Sequence, residues 1–234
     1  MRQTEAGGPD PLAPAWQIWH PFAVLLASFV LALLPMALTA RPYNVVGLNL
    51  TSYWLQFVGF FLGPLYIACV RYKQKPAVLG IRKVKARLYF AAPLCGLAFY
   101  LLNVLVALAV TLVCGRDMAL QNVLQVFDYA QNPFEIWGLI LSVAVLAPVS
   151  EEMLFRAFLY PPLKAAVGKS KAVLIASFLF GVSHGSLWTL FPMWAGGVCF
   201  TLLYDRYRSL AMNIIAHATW NTIALSLFFY SYSL

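Results

Sequence analysis

Glu151 and Glu152 stand side by side in an otherwise apolar stretch, with Arg156 four residues further on. His184 sits in a second apolar stretch, and His217 and Asn221, again four apart, lie in a third. Ionisable groups inside apolar spans cost roughly 2.5–3.5 kcal/mol each on insertion scales, so they face an interior and mark chemistry. Glu152 and Arg156 share one helix face in the favourable order for an ion pair, which holds that carboxylate ionised and occupied. Glu151 is turned about 100° away and is left to act as a general base on water. His217 and Asn221 present two hydrogen-bond donors side by side, as an oxyanion requires. His184, on a separate helix, can share the water or pass its proton onward. Base, water, proton carrier and oxyanion donors are the components of amide hydrolysis in a membrane cavity.

Depth supports the grouping. Lys164 to Glu151 and Lys171 to His184 each span 13 residues, and Arg208 to His217 spans 9. At 1.5 Å per residue these are about 20, 20 and 13 Å from the basic clusters. Pro161 and Pro162 are expected to end their span early, which makes the first figure an upper bound. The site is therefore expected within the membrane, nearer its cytoplasmic half. A Glu–Arg pair or a histidine taken singly can simply knit helices together. Several such groups on three helices at one level argue for a site.

The elements that carry these residues follow from composition. The chain has 234 residues, of which 62% are hydrophobic and 10% charged, and its mean hydropathy is +0.77. Soluble chains carry about 25% charged residues, so a soluble enzyme, a disordered tail and a disulfide mini-protein are excluded. The expected fold is all-α, a polytopic transmembrane helical bundle with a polar intramembrane cavity. About seven spans are expected, at 21–40, 51–70, 88–114, 134–160, 171–190, 191–204 and 210–232. The sixth is short, and its Gly196 and Gly197 point to close helix packing and an incomplete crossing. Residues 1–20 read as a flexible cytoplasmic tail, and 21–234 as one transmembrane domain with its motif-bearing core at about 134–225. The first span is expected to be retained rather than cleaved as a signal peptide.

Orientation follows from the basic residues. Arg71, Lys73, Lys75, Arg82, Lys83, Lys85 and Arg87 fall in one loop, Lys164, Lys169 and Lys171 in another, and Arg206 and Arg208 in a third. With Arg2 these lie on one side, against Arg41 and Arg116 on the other, which places the N-terminus in the cytoplasm. The net charge of +8 is explained by these loops, and no nucleic-acid partner is expected. Trp16, Trp19, Trp54, Trp137, Trp188 and Trp194 read as interfacial anchors, and Tyr160 as another interfacial residue. Leu120, Val123, Leu124 and Phe127 have the spacing of a helix lying on the membrane surface, a lid or a connector. Cys69, Cys95, Cys114 and Cys199 have no metal spacing and read as buried free thiols. Phe155 and Phe180 are assigned to packing, and Ser150 has no base at helical spacing to activate it.

Three motifs in order resemble the CAAX protease and bacteriocin-processing family of intramembrane peptidases. Glu151-Glu152-Met153-Leu154-Phe155-Arg156 matches EExxxR, Phe180-Gly181-Val182-Ser183-His184 matches FxxxH, and His217-Ala218-Thr219-Trp220-Asn221 matches HxxxN. Leu79-Gly80-Ile81 is a lesser echo, and Ala157 stands where many members have Gly. The resemblance implies a glutamic-type endopeptidase in which Glu151 activates water, His184 assists, and His217 with Asn221 supports the oxyanion, while Glu152 and Arg156 support the site. It implies a membrane-tethered protein or peptide substrate: a C-terminal sorting signal or tail, a lipidated protein, or a bacteriocin-type peptide. A bacterial inner (cytoplasmic) membrane location is expected. No cofactor is expected, since HExxH is absent; if zinc were bound, Glu151, His184 and His217 would be its ligands. The alternatives are a non-catalytic immunity or scaffold protein and a proton-coupled carrier. The carrier would require broken helices in repeated halves, and no repeat is visible.

Overall fold

The computed structural model describes residues 13–39, 44–115 and 122–232, and among the described residues there is no strand. Seven helical rods follow one another: α1 (Trp19–Leu38), α2 (Val45–Arg71), α3 (Ala86–Cys114), α4 (Pro133–Val167), α5 (Lys169–Val182), α6 (Leu187–Tyr207) and α7 (Leu210–Tyr232). α1, α2, α3, α4 and α6 are each long and apolar enough to cross a membrane. α7 has the length, at 23 residues, but Asn213, His217 and Asn221 dilute its apolar character. The protein is a polytopic helical membrane protein.

The fifth and sixth spans differ from expectation. α5 has 14 residues, about 21 Å, which falls short of a hydrocarbon core of roughly 30 Å. It ends where the Ser183 hydroxyl donates to the Phe180 carbonyl at 2.8 Å and His184 Nδ1 lies 2.8 Å from the same oxygen. Gly185 then turns the chain at φ +68°. α6 begins at Leu187 and runs 21 residues, so the sixth span is full-length and the fifth is the short one. The close packing expected of its glycines is present. A side chain at Gly197 would meet Ser177 of α5 at 3.0 Å, and one at Gly196 would meet the Trp220 ring of α7 at 2.5 Å.

α4 runs through the middle of the bundle. Every residue from 152 to 163 is buried, because α1, α2, α5, α6 and α7 all pack against this stretch. Pro161 and Pro162 do not end it, contrary to expectation, since the helix continues to Val167. Wide turns with i→i+5 bonding occupy Glu152–Leu159 just before them, with Tyr160 N–H donating to the Phe155 carbonyl. Such turns absorb the hydrogen bonds that a proline cannot make. One lost partner is replaced from outside the helix. Pro162 has no N–H for the Phe158 carbonyl four residues back, and the Trp16 indole donates to that oxygen at 2.9 Å. Trp16 is therefore a buried residue, 3% exposed and stacked on Phe158 at 4.9 Å, rather than an interfacial anchor. Trp19, Trp54, Trp137 and Trp188 are exposed. Tyr160 is likewise buried, and its hydroxyl donates to Asp205 at 2.7 Å.

The basic loops converge at one end of the bundle. Arg82 donates to the Arg208 and Tyr207 carbonyls at 2.9 and 2.8 Å, and Lys164 and Lys169 both pair with Asp205. Gln74 ties the segment before α1 to the same end through Ala13 and Ala15. Arg2, Arg41 and Arg116 lie outside the described residues, as does most of the expected tail. At the other end, Leu120 of the expected surface helix also lies outside them. The part described is one helical turn (Asn122–Gln125) and a tighter turn (Val126–Tyr129). Val126 and Phe127 point inward, in a cluster with Val46, Leu139 and Phe228.

Candidate active site

Glu152, on the buried side of α4, is the hub of the polar cluster. Its Oε1 lies 3.2 Å from Arg156 Nη1, with both side chains fully buried. The same oxygen is 2.8 Å from His217 Nδ1, and the Asn213 amide donates to its other oxygen at 3.1 Å. Asn213 also donates to the Phe200 carbonyl at 2.8 Å. A carboxylate this deep is tolerable only when paired and hydrogen-bonded on both oxygens. Arg156 completes its environment with aromatic faces: its guanidinium carbon lies 4.1 Å from the Phe180 ring centre and 5.4 Å from that of Phe200. Such contacts contribute about 2 kcal/mol when desolvated.

Glu151 faces another way, as a rotation of about 100° requires. Its side chain is 21% exposed, and Oε2 is 3.8 Å from His217 Nε2. It opens on a cavity of about 250 Å³ whose wall also includes His184, His217 and Asn221. All four expected catalytic residues thus share one cavity, while Glu152 and Arg156 sit behind it. With Nδ1 of His184 against the Phe180 carbonyl, Nε2 is its remaining nitrogen. Phe180 exceeds the packing role expected of it. Its ring contacts His184 at 4.8 Å and His217 at 6.0 Å while covering Arg156. Phe200 stacks on His217 at 4.7 Å. Both rings fix the imidazoles by packing.

Asn221 is placed by a proline. The turn Ser142–Leu146 is wide, and Ala147 N–H donates to the Ser142 carbonyl five residues back. The Val143 carbonyl therefore loses Ala147 as a partner, and the next candidate, Pro148, has no N–H. Asn221 supplies the missing donor at 2.8 Å. One of its two amide hydrogens is thus committed to orientation. The Ser150 hydroxyl donates to the Ala147 carbonyl at 3.1 Å.

Among the described residues, no three His, Cys, Asp or Glu side chains are gathered as ligands of one ion. The zinc set considered above, Glu151, His184 and His217, shares the cavity wall, and each histidine has its Nδ1 engaged elsewhere. Asn213 is the site residue that motif spacing does not reveal. It lies four residues before His217, on the same face of α7, and that spacing is its one sequence signal.

Fold and cavity define a helical membrane protein with a glutamate and histidine site inside the bundle. Residues 133–223, which carry all three motifs, match the family described as Type II CAAX prenyl endopeptidase Rce1-like. The membrane-embedded CAAX protease MroQ of Staphylococcus aureus (strain USA300) is 24% identical over 207 residues, covering 84% of this chain and 82% of MroQ. YdiL of Bacillus subtilis (strain 168), whose name provisionally marks a membrane peptidase, is 31% identical over 87 residues. That match covers 37% of this chain and 36% of YdiL. The UPF0177 protein YbdI of Lactococcus lactis subsp. lactis (strain IL1403) is 26% identical over 99 residues, covering 42% of this chain and 53% of YbdI. The chain thus matches about a third of YdiL and about half of YbdI. No solved structure matches.

Proposed function

We propose that this chain is an intramembrane endopeptidase that hydrolyses a peptide bond near the membrane in a membrane-tethered protein or peptide. The observation that carries the reading is the position of His217 between two carboxylates, Glu152 at 2.8 Å on Nδ1 and Glu151 at 3.8 Å on Nε2. Glu152 orients the ring, as the buried acid of a catalytic triad orients its histidine. Glu151 takes a proton from water as the water oxygen bonds to the scissile carbonyl carbon. The oxyanion accepts hydrogen bonds from protonated His217 at Nε2 and from the second amide hydrogen of Asn221. When the C–N bond breaks, Glu151 returns the proton to the leaving amine, which leaves the enzyme unchanged. His184 assists by accepting a hydrogen bond from the water at Nε2. Two carboxylates, Arg156 and an imidazolium sum to zero charge, which suits a buried site.

The reaction so written uses no metal. Support comes from Glu151, which opens on the cavity and can activate the water by itself. The convergence of the basic loops with the segment before α1 supports an N-terminus in the cytoplasm, in a bacterial inner (cytoplasmic) membrane. The substrate class is a C-terminal sorting signal or tail, a lipidated protein, or a bacteriocin-type peptide, and the family description favours a C-terminal site.

The test is cleavage by the purified chain in liposomes, with tail-anchored and prenylated peptides, with and without a chelator. Cleavage that survives the chelator supports the reading. Loss with chelator, restored by zinc, would make the histidines ligands and overturn the metal-free mechanism.

A further inference from the structure

The polar side chains on the cavity wall fall into two sets. In the first, each donor already has a backbone partner. The Ser142 hydroxyl donates to the Gly138 carbonyl at 2.8 Å, Ser183 to Phe180 at 2.8 Å, and Thr189 to Ser186 at 3.3 Å. Ser150 and Asn221 are tied as described above. The hydroxyls are satisfied and have little need of a ligand, and Asn221 keeps only the second amide hydrogen already assigned to the oxyanion. In the second set, whose side-chain donors have no hydrogen-bond partner among the described residues, are Ser186, Trp220 and two neighbours on α2, Tyr53 and Gln56, all lining the same cavity. Tyr53 and Gln56 are three residues apart on one face of α2, and of the polar residues just before them Asn49 and Thr51 are tied to the Val45 and Gly47 carbonyls of their own helix. Phe60, four residues beyond Gln56, continues that face along the cavity.

An amide and a phenol without partners are costly at membrane depth unless something else pairs with them. A peptide unwound for cleavage has the complementary problem, because its N–H and C=O groups need partners that lipid cannot supply. Proteins with sheets solve it by adding the peptide to a strand edge. Here no strand exists among the described residues, so side chains must do it. Gln has the matching chemistry, a carbonyl acceptor and an N–H₂ donor on one group, and Tyr adds a hydroxyl that serves as either.

We propose that Tyr53 and Gln56 form a backbone-binding wall on α2 that hydrogen-bonds the amides of an extended substrate segment and presents it to the Glu151 side of the cavity. This rests on the peptidase reading for its ligand class, and it adds a second set of residues on a helix outside the three motifs. The bonds go to main-chain groups, so the wall selects for unwound peptide rather than for particular side chains.

The test measures binding in the Glu151→Gln background, so that affinity is read without turnover. The probe is a fluorescently labelled peptide with one apolar helix of about 20 Leu and Ala residues followed by a Gly-Ala-Gly-Ala-Gly-Ala tail. A second version carries N-methylated tail amides. In liposomes, Gln56→Met and Tyr53→Phe are each expected to weaken binding roughly five- to tenfold, the worth of one net hydrogen bond. N-methylation should weaken binding to the Gln56-containing protein and cost little further once Gln56→Met and Tyr53→Phe are combined. Unchanged affinity in both single variants would overturn the proposal, as would an equal cost of N-methylation in all backgrounds or no binding of the probe. Tyr53→Phe keeps the test open if Gln56→Met does not fold. Cleavage of the same probe by the unmutated chain is read separately. Binding without cleavage contradicts the peptidase reading and leaves the wall standing, whereas cleavage with affinity indifferent to α2 contradicts the wall alone.

Discussion

Asn213 and Glu152 are joined by a hydrogen bond of 3.1 Å between two side chains that are both fully buried. The bond fills the Glu152 oxygen that His217 and Arg156 do not use, so the carboxylate cannot rotate away from His217 Nδ1. Asn213→Ala is therefore expected to lower kcat about tenfold or more while leaving KM within about twofold, because Asn213 orients the histidine without facing the cavity. Steady-state kinetics checks this. A rise in KM alone would show that Asn213 acts on binding.

The Glu152–Arg156 pair gives a stability prediction with two halves. Glu152→Gln leaves a buried guanidinium without its counter-charge, and the expected loss is about 3–5 kcal/mol. Adding Arg156→Met in the same chain removes the stranded charge and should restore much of that stability, since Met can fill the space among Phe155, Phe180 and Phe200. Activity should not return, because His217 has still lost its carboxylate. Thermal unfolding in detergent alongside a cleavage assay measures both halves.

Pro148→Ala separates activity from stability. It returns an N–H to α4 and gives the Val143 carbonyl a backbone donor to compete with Asn221. Helix stability should be unchanged or rise, while turnover falls as Asn221 loses its fixed orientation. Unfolding midpoints and kcat, measured on one preparation, check the pair of trends. A variant equal to wild type in turnover would show that the Val143 contact does not orient Asn221.

Trp16→Phe preserves the ring stack on Phe158 and removes the indole N–H. The Phe158 carbonyl then lacks its replacement donor, and a loss of about 1–2 kcal/mol is expected. Trp16→Ala should cost more, because the packed ring goes as well. Chemical denaturation of both variants tests the order.

Much of this was legible in the residues. The three motifs, their separate helices and their common depth lead to one cavity because ionisable groups in apolar spans have few places to go. The Gly196 and Gly197 contacts were legible for a similar reason, since adjacent small residues in a span signal close approach. The boundary between α5 and α6 was less so. Hydropathy stays high across it, although Ser183-His184-Gly185-Ser186 is the polar cluster that marks the turn. Pro161 and Pro162 misled because their cost is local, and wide turns upstream with Trp16 from far along the chain offset it. Asn213 was hidden because its importance lies in a hydrogen bond to a residue 61 positions away, which spacing along one helix does not show. Gln56 and Tyr53 were hidden by their ordinariness. Only the cavity distinguishes them from other polar residues in spans.

The most direct test is Glu151→Gln, which keeps shape and removes the base. Cleavage of a membrane-tethered peptide by wild type and variant should be compared in liposomes, with unfolding midpoints taken on the same samples. The account predicts a midpoint near that of wild type, since Glu151 is the member of the pair that faces the cavity, and cleavage reduced by at least about 100-fold. Cleavage within a few-fold of wild type by a folded Glu151→Gln protein would contradict it.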